Sequence, residues 1–302
     1  MRRTLATSPK ARNPLLPLLI ALACLASGPA LGDDSPAASA EVEAATAPPR
    51  KHELQLGWAP RYHTRKDELY SPLWQQGLSA EGIALRYSWN GERSAHRAAI
   101  GVAKSQIKAG PTWGYNDWPT GETKTTWPVY ITHIQVAYAY LHKLPVPDVV
   151  TLRLGGAVDV DLQNIDWLIA GYGFGSYFGS ITLDIKAELT VPVAERHSLT
   201  LDVGLPLLAW IARSPYSIHD ETTIYNNRDA NDFKTAFRYI GAGRLESWNS
   251  FQSLRAALTW RWQISDPMGL ALTLHSRLTA EQHPRPLLAT ETGLTVAANW
   301  QF

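Results

Sequence analysis

The chain of 302 residues has one cysteine, Cys24, and two methionines. A lone cysteine makes no disulfide within the chain and supplies no thiolate metal site, so neither a disulfide framework nor a cysteine-based metal centre organises the fold. Charge is also scarce: Asp, Glu, Lys and Arg make up 18% of the chain, and the formal net charge is only +1. That balance lacks the basic excess of a nucleic-acid-binding protein. Beyond the N-terminal region there is no apolar run of ~20 residues, which excludes a helical membrane span in the body of the chain. Aromatics, in contrast, are abundant, with 12 Trp and 12 Tyr. The length admits one or two domains, and all-β folds often reach it as one.

The N-terminus reads as a targeting segment. Arg2, Arg3, Lys10 and Arg12 form a basic start, Leu15 to Ala26 an apolar core, and Ala30-Leu31-Gly32 a stretch of small residues suited to cleavage. Residues 1–32 are therefore expected to be a secretory signal peptide. The alternatives are a structural N-terminal helix or a lipoprotein acylated at Cys24. Ala21-Leu22-Ala23-Cys24 is a poor lipobox, because Ala21 stands where Leu is usual. Cleavage after Gly32 removes the cysteine and four of the 28 basic residues. The remaining 24 face 27 acidic ones, a net charge near −3. Residues 33–51, rich in Ala, Pro, Ser and acid, cannot bury a core and read as a disordered periplasmic linker.

From His52 the chain breaks into segments of period two. Leu54, Leu56 and Trp58 begin the series. There follow Ile83–Trp89, Ala98–Val102, Ile134–Tyr140, Leu152–Val160, Ile181–Val191, Leu199–Leu207, Leu254–Ile264 and Leu270–Leu278. The series ends at Leu294-Val296-Ala298-Trp300-Phe302, which alternates with Thr295, Asn299 and Gln301. One apolar and one polar face per segment is the pattern of strands with lipid outside and a wet lumen inside. The ten segments over residues 52–302 predict an all-β, transmembrane, antiparallel up-and-down barrel of about ten strands, with 8 or 12 as alternatives. A soluble sandwich would bury the apolar face against a second sheet instead. Tight turns are expected at Asn90-Gly91, Leu144-Pro145, Ala194-Glu195 and Asp266-Pro267. Longer loops are expected near 61–79, 108–127, 163–177 and 211–246, with a shorter connection at 281–286. Short and long connections alternate, as in bacterial barrels with periplasmic turns and extracellular loops.

Four aromatic pairs share the outward parity: Tyr87 with Trp89, Tyr138 with Tyr140, Trp260 with Trp262, and Trp300 with Phe302. All fall at the same end of their strands, where a periplasmic girdle at headgroup level is expected. The closing Phe302 resembles the terminal residue of bacterial outer-membrane strands that the barrel assembly machinery reads. The chain further resembles a family of bacterial outer-membrane barrels. The residues concerned are His52-Glu53-Leu54 with Leu56-Gly57, Asp67-Glu68-Leu69 with Ser71-Pro72-Leu73, Arg86-Tyr87 with Trp89 and Gly91-Glu92, and Leu205-Pro206-Leu207-Leu208. That family has no assigned activity, so the resemblance implies the barrel and no catalytic residue.

The lumen parity carries Glu53, Arg86, Arg97, Arg153, Asp159, Asp161, Asp184, Lys186, Glu188, Asp202, Arg255, Arg261, Arg277 and Glu291. Mixed charges removed from bulk water need partners, so a network that fills and staples the barrel is the expected reading. A selective polar pathway is the alternative. A wide porin is not expected from so few strands. Asp159 and Asp161 could work as an acid–base pair, but Arg153 and Lys186 are within plausible reach as ion-pair partners. His63 with Asp67, and His219-Asp220, are Asp/His pairs of the kind an omptin-type outer-rim protease carries; no other omptin motif is present. A lipase would need an outward Ser–His pair. Outward Ser276 and His142 lie at opposite ends of the barrel, while His133 and His275 face inward. Asn227, Asp229 and Asn231 open like a calcium loop, but Asp232 replaces the required Gly and Arg238 stands at the closing Glu position. A polar loop with Tyr216, Tyr225, Phe233 and Tyr239 is the better reading.

Neither a cofactor nor a metal is expected. The leading expectation for function is a non-enzymatic outer-membrane protein, supporting the envelope or binding a surface partner. Narrow transport of a small polar solute or ion comes second, and an outer-rim membrane enzyme acting on peptide or lipid third. Expected partners are outer-membrane lipid, the assembly machinery through Phe302, and an extracellular ligand at loops 61–79 and 211–246; nucleic acid is not expected.

Overall fold

A computed structural model describes residues 51–110, 114–116, 120–125, 128–146, 149–169, 172–214 and 238–302. The expected signal peptide, Cys24 and the linker to residue 50 lie outside these residues, as do His219, Asp220, Asn227, Asp229 and Asn231. In the unit Pro49–Phe302, the described residues form fifteen strands in chain order. They are β1 (His52–Trp58), β2 (Arg61–Asp67), β3 (Ser71–Ser79), β4 (Glu81–Asn90), β5 (Ser94–Ala109), β6 (Gly114–Asn116), β7 (Thr123–Thr125) and β8 (Val129–Lys143), then β9 (Thr151–Ile169), β10 (Tyr172–Ala194), β11 (His197–Arg213), β12 (Arg244–Glu246), β13 (Phe251–Gln263), β14 (Met268–Glu281) and β15 (Leu287–Gln301).

Ten of these strands close a ring. β1, β4, β5, β8, β9, β10, β11, β13, β14 and β15 pair in turn, all antiparallel, and β15 returns to β1 over Glu53↔Gln301 through Trp58↔Val296. Each of the ten holds one of the segments read from the alternation, with only Ile264 and Phe302 falling one residue past their strands. β2, β3 and β12 add to the same sheet, and β6–β7 form a separate hairpin. Closure satisfies the backbone hydrogen bonds that an open edge would leave exposed. No helix among the described residues is long and apolar enough to cross a membrane, which has no bearing on crossing by strands.

Two expected loops are strands. Residues 61–79 fold as β2, a tight turn and β3, while β9 and β10 run through most of 163–177. β2 continues the line of β1 past Ala59-Pro60: the lower half of β15 pairs with β1 and its upper half with β2. Pro60 has no N–H to give to the ladder, so pairing stops there and its carbonyl accepts from Leu294 N at 3.1 Å. Opposite this break, Ala59 N donates to Gly82 O at 2.9 Å. A Cβ on Gly82 would stand 2.2 Å from the Ala59 carbonyl oxygen, so the break requires glycine there.

The upper parts of β5 and β9 escape the alternation because their pattern is inverted, whereas β2 keeps Arg61, His63, Arg65 and Asp67 inside and has no apolar run outside. In the ring's middle, Leu85, Val136, Leu183 and Leu274 face out and are exposed, as lipid-facing side chains must be. In those upper parts the apolar residues turn inward. Ile107, Ile165 and Trp167 are buried, while Gln106, Lys108, Asn164 and Asp166 face out. The barrel therefore has an apolar-outside zone nearer the chain termini and a polar-outside collar at the far end. Over β5, β8 and β9 the collar is built like a soluble protein, with its oily face inside, while β3 leaves Leu73 and Trp74 exposed.

Candidate functional site in the barrel lumen

The lumen is layered. Nearest the termini, Arg97 forks onto Glu188, with Nε 2.9 Å from Oε2 and Nη2 2.8 Å from Oε1. Arg153 Nη1 donates to the same Oε1 at 2.7 Å. Arg261 Nε donates to Glu53 at 3.0 Å and its Nη1 to Thr200 at 2.7 Å. Lys186 pairs with Asp202 at 3.0 Å. Charge-assisted, forked contacts of this kind hold long side chains in one rotamer.

Midway, Arg255 Nη1 bridges Asp184 at 2.6 Å and Asp159 at 3.2 Å, while its Nη2 donates to Thr182 at 2.8 Å. Asp159 also accepts from Gln135 Nε2 at 3.1 Å. Asp161 accepts from Arg277 Nη1, and its other oxygen lies 2.8 Å from His133 Nε2. Arg61 Nη1 donates to Glu291 at 3.0 Å and lies 2.9 Å from His133 Nδ1. His133 thus stands between two carboxylates, its Nδ1 3.4 Å from Glu291 Oε2 and its Nε2 facing Asp161. His63 and His275 stand 3.7 and 3.6 Å from Glu291.

Above these charges the bore is filled with apolar side chains. Ile107, Val129, Ile165, Trp167, Phe178 and Phe251 belong to one buried cluster, and Tyr70 stacks on Trp167 with ring centroids 4.7 Å apart. The outermost layer is ionic again. Arg213 Nη2 donates to Asp67 at 2.5 Å, and its Nη1 donates to the carbonyls of His283 and Arg285 at 2.9 and 2.7 Å. Arg65 holds the other Asp67 oxygen at 2.8 Å, and Arg213 and Arg244 flank Glu281, each at 3.5 Å.

All fourteen charges read from the lumen parity face the interior. The alternation supplied their direction but not their partners. Asp159 and Asp161 are occupied by Arg255 and Arg277, rather than by the Arg153 and Lys186 considered from sequence. His63 lies inside β2, not in an outer loop, and the residues alternating with it (Arg61, Arg65, Asp67) also face in. The signal for them was present as charge at every second position, but without an apolar partner face it does not resemble a strand. Ser276 faces outward, with its Oγ 3.5 Å from Thr292 Oγ1, whereas His142 lies opposite Ser94 at the termini end. Tyr87, Trp89, Tyr138, Tyr140, Trp260, Trp262, Trp300 and Phe302 all lie on the outward parity at that same end. Among the described residues no cluster of His, Cys, Asp and Glu is disposed to hold a metal ion.

Between the terminal and middle layers lies a cavity of about 220 Å³. It exists because Ala84, Ala99, Gly101, Ala137 and Ala157 face inward on four adjacent strands and leave the bore unfilled. Arg86 projects beside them, flanked on the neighbouring strands by Gln55 and Ala99.

No protein-family model matches the chain, and no curated protein matches it. Solved structures do align. The outer membrane protease OmpT from Escherichia coli is 7% identical, with a TM-score of 0.47, covering 83% of this chain and 96% of the other. The translocator domain of the autotransporter NalP from Neisseria meningitidis is 10% identical (TM-score 0.41, 83% and 88% covered). The P. putida toluene transporter TodX is 8% identical (TM-score 0.33, 85% and 91% covered).

Proposed function

We propose that this chain is an integral protein of the bacterial outer membrane whose barrel is closed to through-flow and whose role is non-enzymatic, in envelope support or surface binding. The observation that carries the reading is the double seal of the far end. An apolar plug fills the bore there, and a buried ionic layer tied to Asp67 and Arg213 caps it. An ion crossing the plug would lose its hydration without gaining ligands, which is prohibitive. The outward apolar zone supports residence in lipid, and the aromatics at the termini end support a periplasmic girdle. The termini then lie in the periplasm and the collar outside. Phe302, which stacks on His52 with ring centroids 5.4 Å apart, is the residue that the assembly machinery would read during insertion. The collar, including β2–β3, is the surface for an extracellular partner; of the loop 211–246, residues 215–237 lie outside the described residues. The test is conductance in planar bilayers. The folded protein is expected to be silent over a voltage range in which open barrels conduct, and steady single-channel steps would refute a sealed lumen.

A further inference from the structure

We propose that the lumen cavity is a binding site for a small oxyanion, a carboxylate or a phosphate group, received by Arg86. The argument begins with the charges around the cavity. Arg61, Arg97, Lys186, Arg255, Arg261 and Arg277 each have a carboxylate in contact: Glu291, Glu188, Asp202, Asp184, Glu53 and Asp161 respectively. Arg86 does not. Among the described residues no acid lies within 4 Å of its guanidinium, and no side chain or carbonyl accepts a hydrogen bond from it. Its ladder neighbours are the neutral Gln55 and Ala99, and the Gln55 amide is already given to Glu53. The N–H donors of Arg86 therefore lack a protein acceptor, and its side chain lines an interior void opened by alanine and glycine.

A guanidinium held out of bulk water without a counter-charge is costly, whereas the same group meeting an oxyanion makes a forked, charge-assisted contact. The surrounding carboxylates are all engaged by cations: Asp159 and Asp184 share Arg255, Glu188 has Arg97 and Arg153, and Asp202 and Glu291 have Lys186 and Arg61. The volume sets the ligand's size. At roughly 30 Å³ per water in the liquid, the cavity of about 220 Å³ holds a handful of waters, or one phosphate or short carboxylate with its remaining hydration. The far end is closed, with Asp67 and Arg213 in its cap 0% and 2% exposed, so the route in is from the termini end. The site is thus a blind pocket facing the compartment that holds the termini.

The experiment is calorimetric titration of the full folded protein in detergent with sodium phosphate and, separately, sodium acetate, at constant ionic strength set by sodium chloride. Saturable binding of one ion per chain is expected for at least one of the two. Binding by both identifies the oxyanion as the shared determinant, and binding by one alone selects its source. Arg86→Gln, which removes a charge without a partner and so should fold, is expected to weaken binding at least tenfold. Ala137→Leu keeps Arg86 but fills the cavity and should have the same effect. Lys66→Gln, on the exposed collar, should bind as the parent does. Folding of each variant is checked by heat-dependent migration in gels. Absence of saturable binding by either ion, or undiminished binding by folded Arg86→Gln, overturns the proposal. None of these outcomes depends on whether the barrel conducts.

Discussion

Asp161 is the residue whose loss the lumen should feel most. Its side chain is 1% exposed and neutralises Arg277 (9% exposed) while facing His133 Nε2 at 2.8 Å. Asp161→Asn keeps the volume but removes the charge. Arg277 then keeps its positive charge in the interior, with Nε and Nη2 already lacking partners. His133 exchanges a carboxylate for an amide. Removing one member of a buried ion pair costs about 3–5 kcal/mol, most of it the penalty of the charge left behind. Because the penalty belongs to the orphaned cation, neutralising that cation should recover much of it. Asp161→Asn combined with Arg277→Met is therefore expected to be less destabilised than the two single changes summed, with a coupling of about 0.5–3 kcal/mol. The assay is equilibrium urea unfolding of the refolded barrel in lipid vesicles, followed by the fluorescence of its 12 tryptophans. A loss below about 1 kcal/mol for Asp161→Asn, or strict additivity in the cycle, would refute the view that the lumen is a network of mutually dependent charges.

Phe178→Ala removes a fully buried ring from the plug and should cost about 3–5 kcal/mol in the same unfolding assay; a change within error would mean that the plug contributes no packing. Gly82→Ala drives a methyl to 2.2 Å from the Ala59 carbonyl oxygen, so the β1–β4 contact must open. Lower denaturation temperature and faster amide exchange near Ala59 are expected, and a neutral outcome would mean the strand break yields freely. Leu274→Arg, outward at the middle of β14, should destabilise the barrel in bilayers by about 2–4 kcal/mol. If Leu274→Arg had no effect, that face would not be in hydrocarbon.

Much of this molecule could be read before any coordinates. Which side chains face in and which face out follows from period-two geometry, a local property of each strand. Hence Leu85, Val136 and Leu274, apolar at every second position, stand exposed on the outer face of the ring. The same rule failed at Gln163–Trp167, because the environments on the two faces exchange there, and at Arg61–Asp67, where charge stays inside but Thr64 and Lys66 give the outer face no apolar run. Alternation reports contrast between faces, not which face is wet.

The partners were not legible in the chain. Arg277 meets Asp161 across 116 positions of sequence, and Arg61 meets Glu291 across 230. Strand periodicity carries no information on who stands opposite whom across a bore; that depends on how the closed sheet tilts and staggers its strands. The unpaired state of Arg86 and the void beside it belong to the same category, since both result from small residues on four strands meeting at one level. Linear order dictates orientation because orientation is covalent geometry repeated every two residues. Contact across the lumen needs the cylinder to close, and so appears only in the folded protein.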